Sequence, residues 1–260
     1  MKIFPELEYA PGMVGDLLLP DGGAPAGGFP AAVLIHGGGW SGMDRHAVRG
    51  IADFLVETGF AVFNIEYRLT TQARWPAGFE DCKAAVRYLA AAASEHPVDP
   101  RRIFVVGGSA GGHYALLAGL DLPRGTVRGI VSISGIDDVF VDCRFAPRRY
   151  LGLLGEPPTP AKLRELDPAE YYTPDAPPIL CTHWQYDTVV PFAACAAFET
   201  SVLKKGGRIN VYSYDYDRKQ EGHGIWIPDS KPHRLFPDLE AVIAGFLREV
   251  LAECKSKSNE

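Results

Sequence analysis

The sequence predicts an α/β fold, a mostly parallel central sheet with helices on both faces, from three observations. Short β-rich runs alternate with longer helical patterns along most of the chain, the order produced when crossover helices join parallel strands. The runs at 31–35 and 103–106 are almost wholly apolar, which suits central strands covered on both sides. A glycine-serine-glycine stretch, Gly107-Gly108-Ser109-Ala110-Gly111, falls at the end of one such run and at the start of a helical pattern.

Residues 7–9 and 14–19 are β-rich runs expected to pair as an antiparallel edge. Residues 20–30, with four glycines and three prolines, read as a surface loop. Strands are then expected at 31–36, 61–67, 103–107, 127–134, 179–182 and 209–214. Helices are expected at 45–58, 78–94, 110–120 and 192–204, with a closing one at 238–253. The stretch 135–178 breaks the pattern. It is rich in Pro, Tyr and Arg and has little periodicity beyond a short helix at 161–166. An irregular segment this long inside a compact domain is as a rule a lid or binding loop, so 135–178 is expected to form a small cap insertion. No repeat divides the chain, and residues 1–260 are expected to form a single domain.

Composition narrows the partners. The formal net charge is −6, which offers no basic field to attract phosphate backbones or anionic lipids, so neither nucleic acid nor membrane is an expected partner. No apolar run is long enough to span a bilayer. Pro5, Glu6 and Glu8 stand where a secretory signal needs a basic stretch and an apolar core. The five cysteines are odd in number and scattered without a Cys-x-x-Cys pair, which fits reduced thiols in a cytoplasmic protein. No His, Cys or carboxylate cluster has metal-site spacing, and no metal or organic cofactor is expected. Nothing in the sequence sets an oligomeric state.

The strand–turn–helix setting of Ser109 is the setting of a nucleophile elbow. The turn is so sharp that its neighbours must be glycine, and the hydroxyl is pushed out above the carboxyl end of the sheet. Upstream, His36-Gly37-Gly38-Gly39-Trp40 ends another strand. Acyl transfer at a serine develops an oxyanion that needs donors already aimed, and glycine-rich backbone supplies N–H groups without side chains in the way. The amides of Gly38, Gly39 and Ala110 are the candidate oxyanion donors. A phosphate-binding loop is the competing reading, but no Gly-Lys-Ser/Thr follows and the dinucleotide spacing is absent.

A general base and its orienting acid must come from elsewhere in the chain. Of seven histidines, His223 stands in a glycine-flanked loop, Glu221-Gly222-His223-Gly224, between the last strand and the last helix. His36 belongs to the glycine loop, His46 and His96 precede Ser109 on or beside helices, and His113 follows it by one helical turn. His183 ends a strand just before Asp187, and His233 lies in a proline-flanked loop. Asp187 follows the strand at 179–182 in Asp187-Thr188-Val189-Val190-Pro191, and is the candidate acid. Asp137 and Asp138 also follow a strand and remain alternatives, while helix capping is the structural explanation open to all three. The tryptophans lie near these loops: Trp40 after the glycines, Trp75 after a central strand, Trp184 before Asp187 and Trp226 after His223. Pocket lining and plain packing both explain such placement.

HGGGW, GGSAGG, DTVVP and EGHG, in this order and separation along the chain, resemble the α/β-hydrolase superfamily over nearly the whole chain. The glycine loop, Asp81-Cys82-Lys83-Ala84-Ala85-Val86-Arg87-Tyr88-Leu89 and Asp99-Pro100-Arg101-Arg102-Ile103 resemble carboxylesterases near the hormone-sensitive-lipase group, and within them the bifunctional feruloyl and acetyl-xylan esterase branch. The resemblance implies a serine carboxylesterase with Ser109 as nucleophile, His223 as base and Asp187 as acid. It would act on small-molecule, short-acyl esters such as acetylated or feruloylated sugars. Arylformamidases share a His-Gly-Gly-x-Trp loop, so amide hydrolysis stays open, as does a hydrolase-fold binding protein without turnover. The chain lacks the long N-terminal cap of the larger hormone-sensitive-lipase-type enzymes, which argues against long acyl chains.

Overall fold

The computed structural model describes residues 1–215, 222–227, 230, 232 and 234–257, the last four by backbone alone. The predicted antiparallel edge is present: β1 (Lys2–Ala10) pairs with β2 (Met13–Leu19), and β2 pairs antiparallel with β4 (Ala61–Ile65). From there the sheet is parallel, running through β3 (Phe29–Ile35), β5 (Val98–Gly108), β6 (Gly129–Ile133), β7 (Ile179–Trp184) and β8 (Asn210–Tyr214). Among the described residues its order is β1-β2-β4-β3-β5-β6-β7-β8.

The apolar central strands serve two cores at once. Ala31, Val33 and Ile35 of β3, with Ile103 and Val105 of β5, face one core. It is completed by α2 (Ala77–Ala91), α3 (Ala110–Asp121) and α8 (Phe192–Lys204). The alternate residues Ala32, Leu34, Phe104 and Val106 face the other core, under α1 (Arg49–Glu57) and α9 (Pro237–Lys257). A period of two with both faces apolar is the behaviour of a strand covered on each side.

The segment 135–178 is more regular than its sequence suggested. It carries α4 (Val139–Phe145), α5 (Pro147–Leu154), α6 (Pro160–Leu166) and α7 (Pro168–Tyr171) as an elaborated crossover between β6 and β7. Prolines 147, 160 and 168 occupy helix first turns, where a missing N–H costs nothing. Asp138, Thr159 and Asp167 supply the caps before α4, α6 and α7. Helices this short bury too narrow a stripe to show a periodicity, so the sequence reading found only the third. No helix of the described residues is long and apolar enough to cross a membrane. Cys82, Cys143, Cys181 and Cys195 are buried and free.

Candidate active site

β5 delivers Ser109 at its carboxyl end, and α3 begins at the next residue. Ser109 has φ +57° and ψ −125°, a conformation that L-residues adopt only when their surroundings impose it. The imposing contacts are visible: a β-carbon on Gly111 would sit 2.2 Å from the Ile35 carbonyl oxygen, so α3 docks onto the end of β3 with no room for a side chain. The Ser109 amide donates to the Ile133 carbonyl at 2.9 Å, tying the turn to β6.

The glycine loop after β3 lies directly on this turn, since a β-carbon on Gly37 would be 3.1 Å from that of Ser109. Gly38 has φ +103°, and its would-be β-carbon would fall 2.0 Å from the Gly42 carbonyl oxygen, which excludes any other residue. The amides of Gly38 and Gly39 donate to no group among the described residues, and the space beside Gly39 is open. The loop is anchored from below. Tyr67 Oη donates to the carbonyls of His36 and Gly37 at 3.1 and 3.2 Å, His36 Nδ1 bonds the Gly37 carbonyl at 2.8 Å, and the His36 ring stacks on Tyr67. His36 is thus a backbone anchor.

Asp187 and His223 are joined. His223 Nδ1 lies 2.6 Å from Asp187 Oδ2, while Asp187 Oδ1 accepts the amides of Val189 and Val190, each at 2.8 Å. Thr188 and Gly222 exchange backbone and hydroxyl bonds and staple the two loops together. The histidine loop also packs on the elbow: Ile225 Cδ1 and Trp226 Cη2 come within 4.0 Å of a β-carbon placed on Gly108. His223 Nε2 is buried and has no hydrogen-bond partner in this structure.

The rival acids have other partners. Asp138 caps α4 by accepting the Val141 amide at 2.8 Å. Asp137 accepts the Ser132 hydroxyl at 2.6 Å. Burial pushes the Asp137 carboxyl up to about 6, against the lowering pull of Ser132 and the Cys195 and Cys181 thiols. His183 is drawn down to about 4 by burial, so it stays neutral and bonds the Val190 carbonyl through Nε2 at 3.0 Å. His113, also lowered to about 4 by burial, bonds the Leu166 carbonyl at 2.7 Å. Asp137, His183 and Cys195 bring an oxygen, a nitrogen and a sulfur within 4.8 Å of one another, a grouping of metal-type donors that spacing along the chain hides. All three are fully buried. His233 and Glu221 lie outside the described residues.

The tryptophans require a correction. Trp40 and Trp184, expected beside the pocket, are 0% and 1% exposed and offer no surface to a substrate. Trp40 packs against His113 and Tyr150, and Trp184 lies where a β-carbon on Gly224 would meet it at 2.6 Å, holding up the histidine loop. Trp75 stacks on Phe79 and gives its amide to Leu153 of α5, bracing the crossover segment. Trp226 is half-buried, and its Cη2 lies 4.0 Å from a β-carbon placed on Gly108 of the elbow. The sequence reading also missed Asp142, Arg149 and Tyr150 of the crossover segment: Asp142 accepts from both of the others, and Arg149 donates to the Val189 carbonyl in the Asp187 loop. No local pattern marks them: Asp142 meets Arg149 and Tyr150 across the break between α4 and α5, 7 and 8 residues on, and Arg149 reaches Val189 across 40.

Among curated relatives, esterase LipC of Mycobacterium tuberculosis is 29% identical over 242 residues, covering 85% of this chain and 58% of LipC. The chain spans about half the length of the curated relatives it matches. Among solved structures, a truncated carbohydrate esterase from gut microbiota superposes with a TM-score of 0.81 at 23% identity, covering 96% of each chain. An acetyl ester-xyloside bifunctional hydrolase from Caldicellulosiruptor lactoaceticus gives 0.69 at 25% identity, covering 82% of this chain and 80% of that one. These neighbours share the α/β-hydrolase fold seen here. The BD-FAE family model matches residues 16–202, a span from the second strand into α8 that takes in the glycine loop, the elbow and the acid loop, and the chain therefore belongs to the BD-FAE family.

Proposed function

We propose that the protein hydrolyses carboxylic esters through an acyl-enzyme on Ser109. The observation that carries this reading is the 2.6 Å bond between His223 Nδ1 and Asp187, which leaves the other ring nitrogen, Nε2, unpartnered on a loop packed against the elbow of Ser109. Nε2 takes the Ser109 proton as Oγ attacks the ester carbonyl. The amides of Gly38, Gly39 and Ala110 receive the oxyanion, and the imidazolium formed is stabilised by Asp187. Collapse of the intermediate returns the proton to the leaving alkoxide and leaves an acyl-serine. Water, deprotonated by the same nitrogen, then attacks the acyl-serine and releases the acid. No step needs a metal or organic cofactor.

The substrates proposed are small esters with short acyl groups on sugars or related alcohols. Support comes from the names of the similar structures, a carbohydrate esterase and an acetyl ester-xyloside hydrolase. Trp40, being fully buried, does not line the acyl pocket. The test is labelling with a fluorophosphonate followed by a substrate panel. Covalent capture in the parent and none in Ser109→Ala supports the mechanism, and a folded parent that resists labelling points to a binding protein. Turnover of acetylated xylan or p-nitrophenyl acetate above N-formylkynurenine supports the ester reading, and the reverse order makes the protein an amidase.

A further inference from the structure

We propose that Asp142 and Arg149, from the crossover segment between β6 and β7, are positioning residues that fasten the acid loop and the oxyanion loop to one another. This rests on the ester-hydrolase reading above for its consequence in catalysis, but not for its geometry.

Asp142 lies in α4 with no exposed surface. Its Oδ1 accepts Arg149 Nη1 at 3.1 Å and its Oδ2 accepts the Tyr150 hydroxyl at 2.8 Å. Arg149 then reaches out of α5 and donates Nη2 to the Val189 carbonyl at 2.7 Å. That carbonyl belongs to the peptide whose N–H, on Val190, donates to Asp187 Oδ1 at 2.8 Å. A continuous chain therefore runs from the guanidinium through one peptide group to Asp187 and on to His223 Nδ1. A cation on a peptide oxygen polarises its N–H, which strengthens the next bond in the chain. The neighbouring residue works in the other direction: the Tyr150 ring packs edge-on against Trp40, 5.6 Å between centroids, at the foot of the oxyanion glycines. Asp142 holds both residues, so one buried carboxylate couples the two halves of the site.

Asp142 is also in electrostatic contact with the catalytic pair. Burial raises its carboxyl, Arg149 and the Tyr150 hydroxyl pull it down, the charge of His223 lowers it further and that of Asp187 raises it. Asp187, on the loop after β7, bonds His223 directly; His183 of β7 and Asp142 of α4 interact with it electrostatically, and Tyr214 of β8 donates its hydroxyl to the neighbouring Gly224 carbonyl. A buried carboxylate with one partner removed is costly, so the arrangement holds only while Arg149 is present.

The experiment compares the full-length parent with Arg149→Met, Arg149→Lys, Asp142→Asn and Tyr150→Phe on p-nitrophenyl acetate across pH. Arg149→Met should lower kcat about 10-fold to 100-fold with KM little changed, as a loosened rather than emptied site does. Arg149→Lys should recover part of the loss, and millimolar guanidinium should restore part of it to Arg149→Met. Asp142→Asn should lower kcat in the same way, because Arg149 loses the carboxylate that holds it. A kcat for Arg149→Met within twofold of the parent overturns the proposal, as does a parental kcat in Asp142→Asn. If Arg149→Met does not fold, Arg149→Lys and Tyr150→Phe carry the test: each must lower kcat more than it raises KM, and a parental kcat in both overturns it. If the parent neither labels with fluorophosphonate nor turns over esters, the ester reading fails. The positioning role is then read by NMR from the downfield proton shared by His223 and Asp187. A resonance displaced or broadened in Arg149→Lys supports the role, and an unchanged one overturns it.

Discussion

Asp187 and Asp138 both follow parallel strands and both accept backbone amides, yet their side chains meet different groups. Asp187 Oδ2 is bonded to His223, whereas Asp138 is used up as the cap of α4. Asp187→Asn should therefore lower kcat by about 10³-fold to 10⁴-fold, since an amide in that place favours the wrong imidazole tautomer and leaves the cation unsupported. Asp138→Asn should stay within about threefold of the parent, because asparagine caps a helix as well as aspartate does. Steady-state kinetics on both variants decides it, and a larger loss in Asp138→Asn would move the acid to the earlier strand. The sequence could rank these two by position in the chain. It could not show which carboxylate reaches the histidine, since that bond closes a loop of 36 residues.

Among the elements, the placing of Ser109 depends on how closely α3 meets the sheet. A β-carbon on Gly111 would lie 2.2 and 2.5 Å from the carbonyl oxygens of Ile35 and His36, which are backbone and cannot turn aside. A β-carbon on Gly119, two turns on, would lie 2.5 Å from Cδ1 and Cγ1 of Ile130, a side chain with other rotamers. Gly111→Ala should accordingly cost the upper part of the about 1–3 kcal/mol typical of overpacking, or more, and should also displace Ser109 and cut activity. Gly119→Ala should cost less and leave kcat near that of the parent. Urea unfolding with parallel kinetics measures both, and equal losses would mean that α3 shifts freely on β3. The crowding of glycines after Ser109 was legible as a demand for close packing. Which of them faced backbone and which a side chain was not, because that depends on the register between helix and strand.

For the molecule as a whole, four buried groups contribute to how stability responds to acid. His113 and His183 are drawn from 6.5 down to about 4, and Asp137 and Asp167 are pushed from 3.8 up to about 6 and about 7, in every case by burial first. A lowered imidazole is neutral in the folded state while the unfolded chain is protonated. The stability it supports is complete above 6.5 and is lost as pH falls through about 4. A raised carboxyl is protonated in the folded state while the unfolded chain is ionised. Its contribution is complete below 3.8 and is lost as pH rises through about 6 to about 7. Between about pH 4 and 6 the two pairs oppose each other, and their combined effect on the parent should be nearly level. Asp137→Asn/Asp167→Asn removes the carboxyl pair, so stability should climb across this window at about 2.7 kcal/mol per pH unit more steeply than in the parent. Urea unfolding in half-unit steps of pH tests this, and equal slopes for the two proteins would contradict it.

The sheet class, the serine turn and the glycine loop are legible in the amino-acid chain alone. Each of these is written in neighbouring residues: alternating apolar strands, glycines forced by a sharp turn, a strand before and a helix after. Only the tertiary structure decided that Asp187 meets His223, that Trp40 and Trp184 are packing rather than pocket, and that Arg149 reaches the acid loop across 40 residues. The physical reason is that burial and hydrogen-bond partners are set by which elements lie side by side in space. A pairing that closes over dozens of residues leaves no period, cap or turn signal in the chain that forms it.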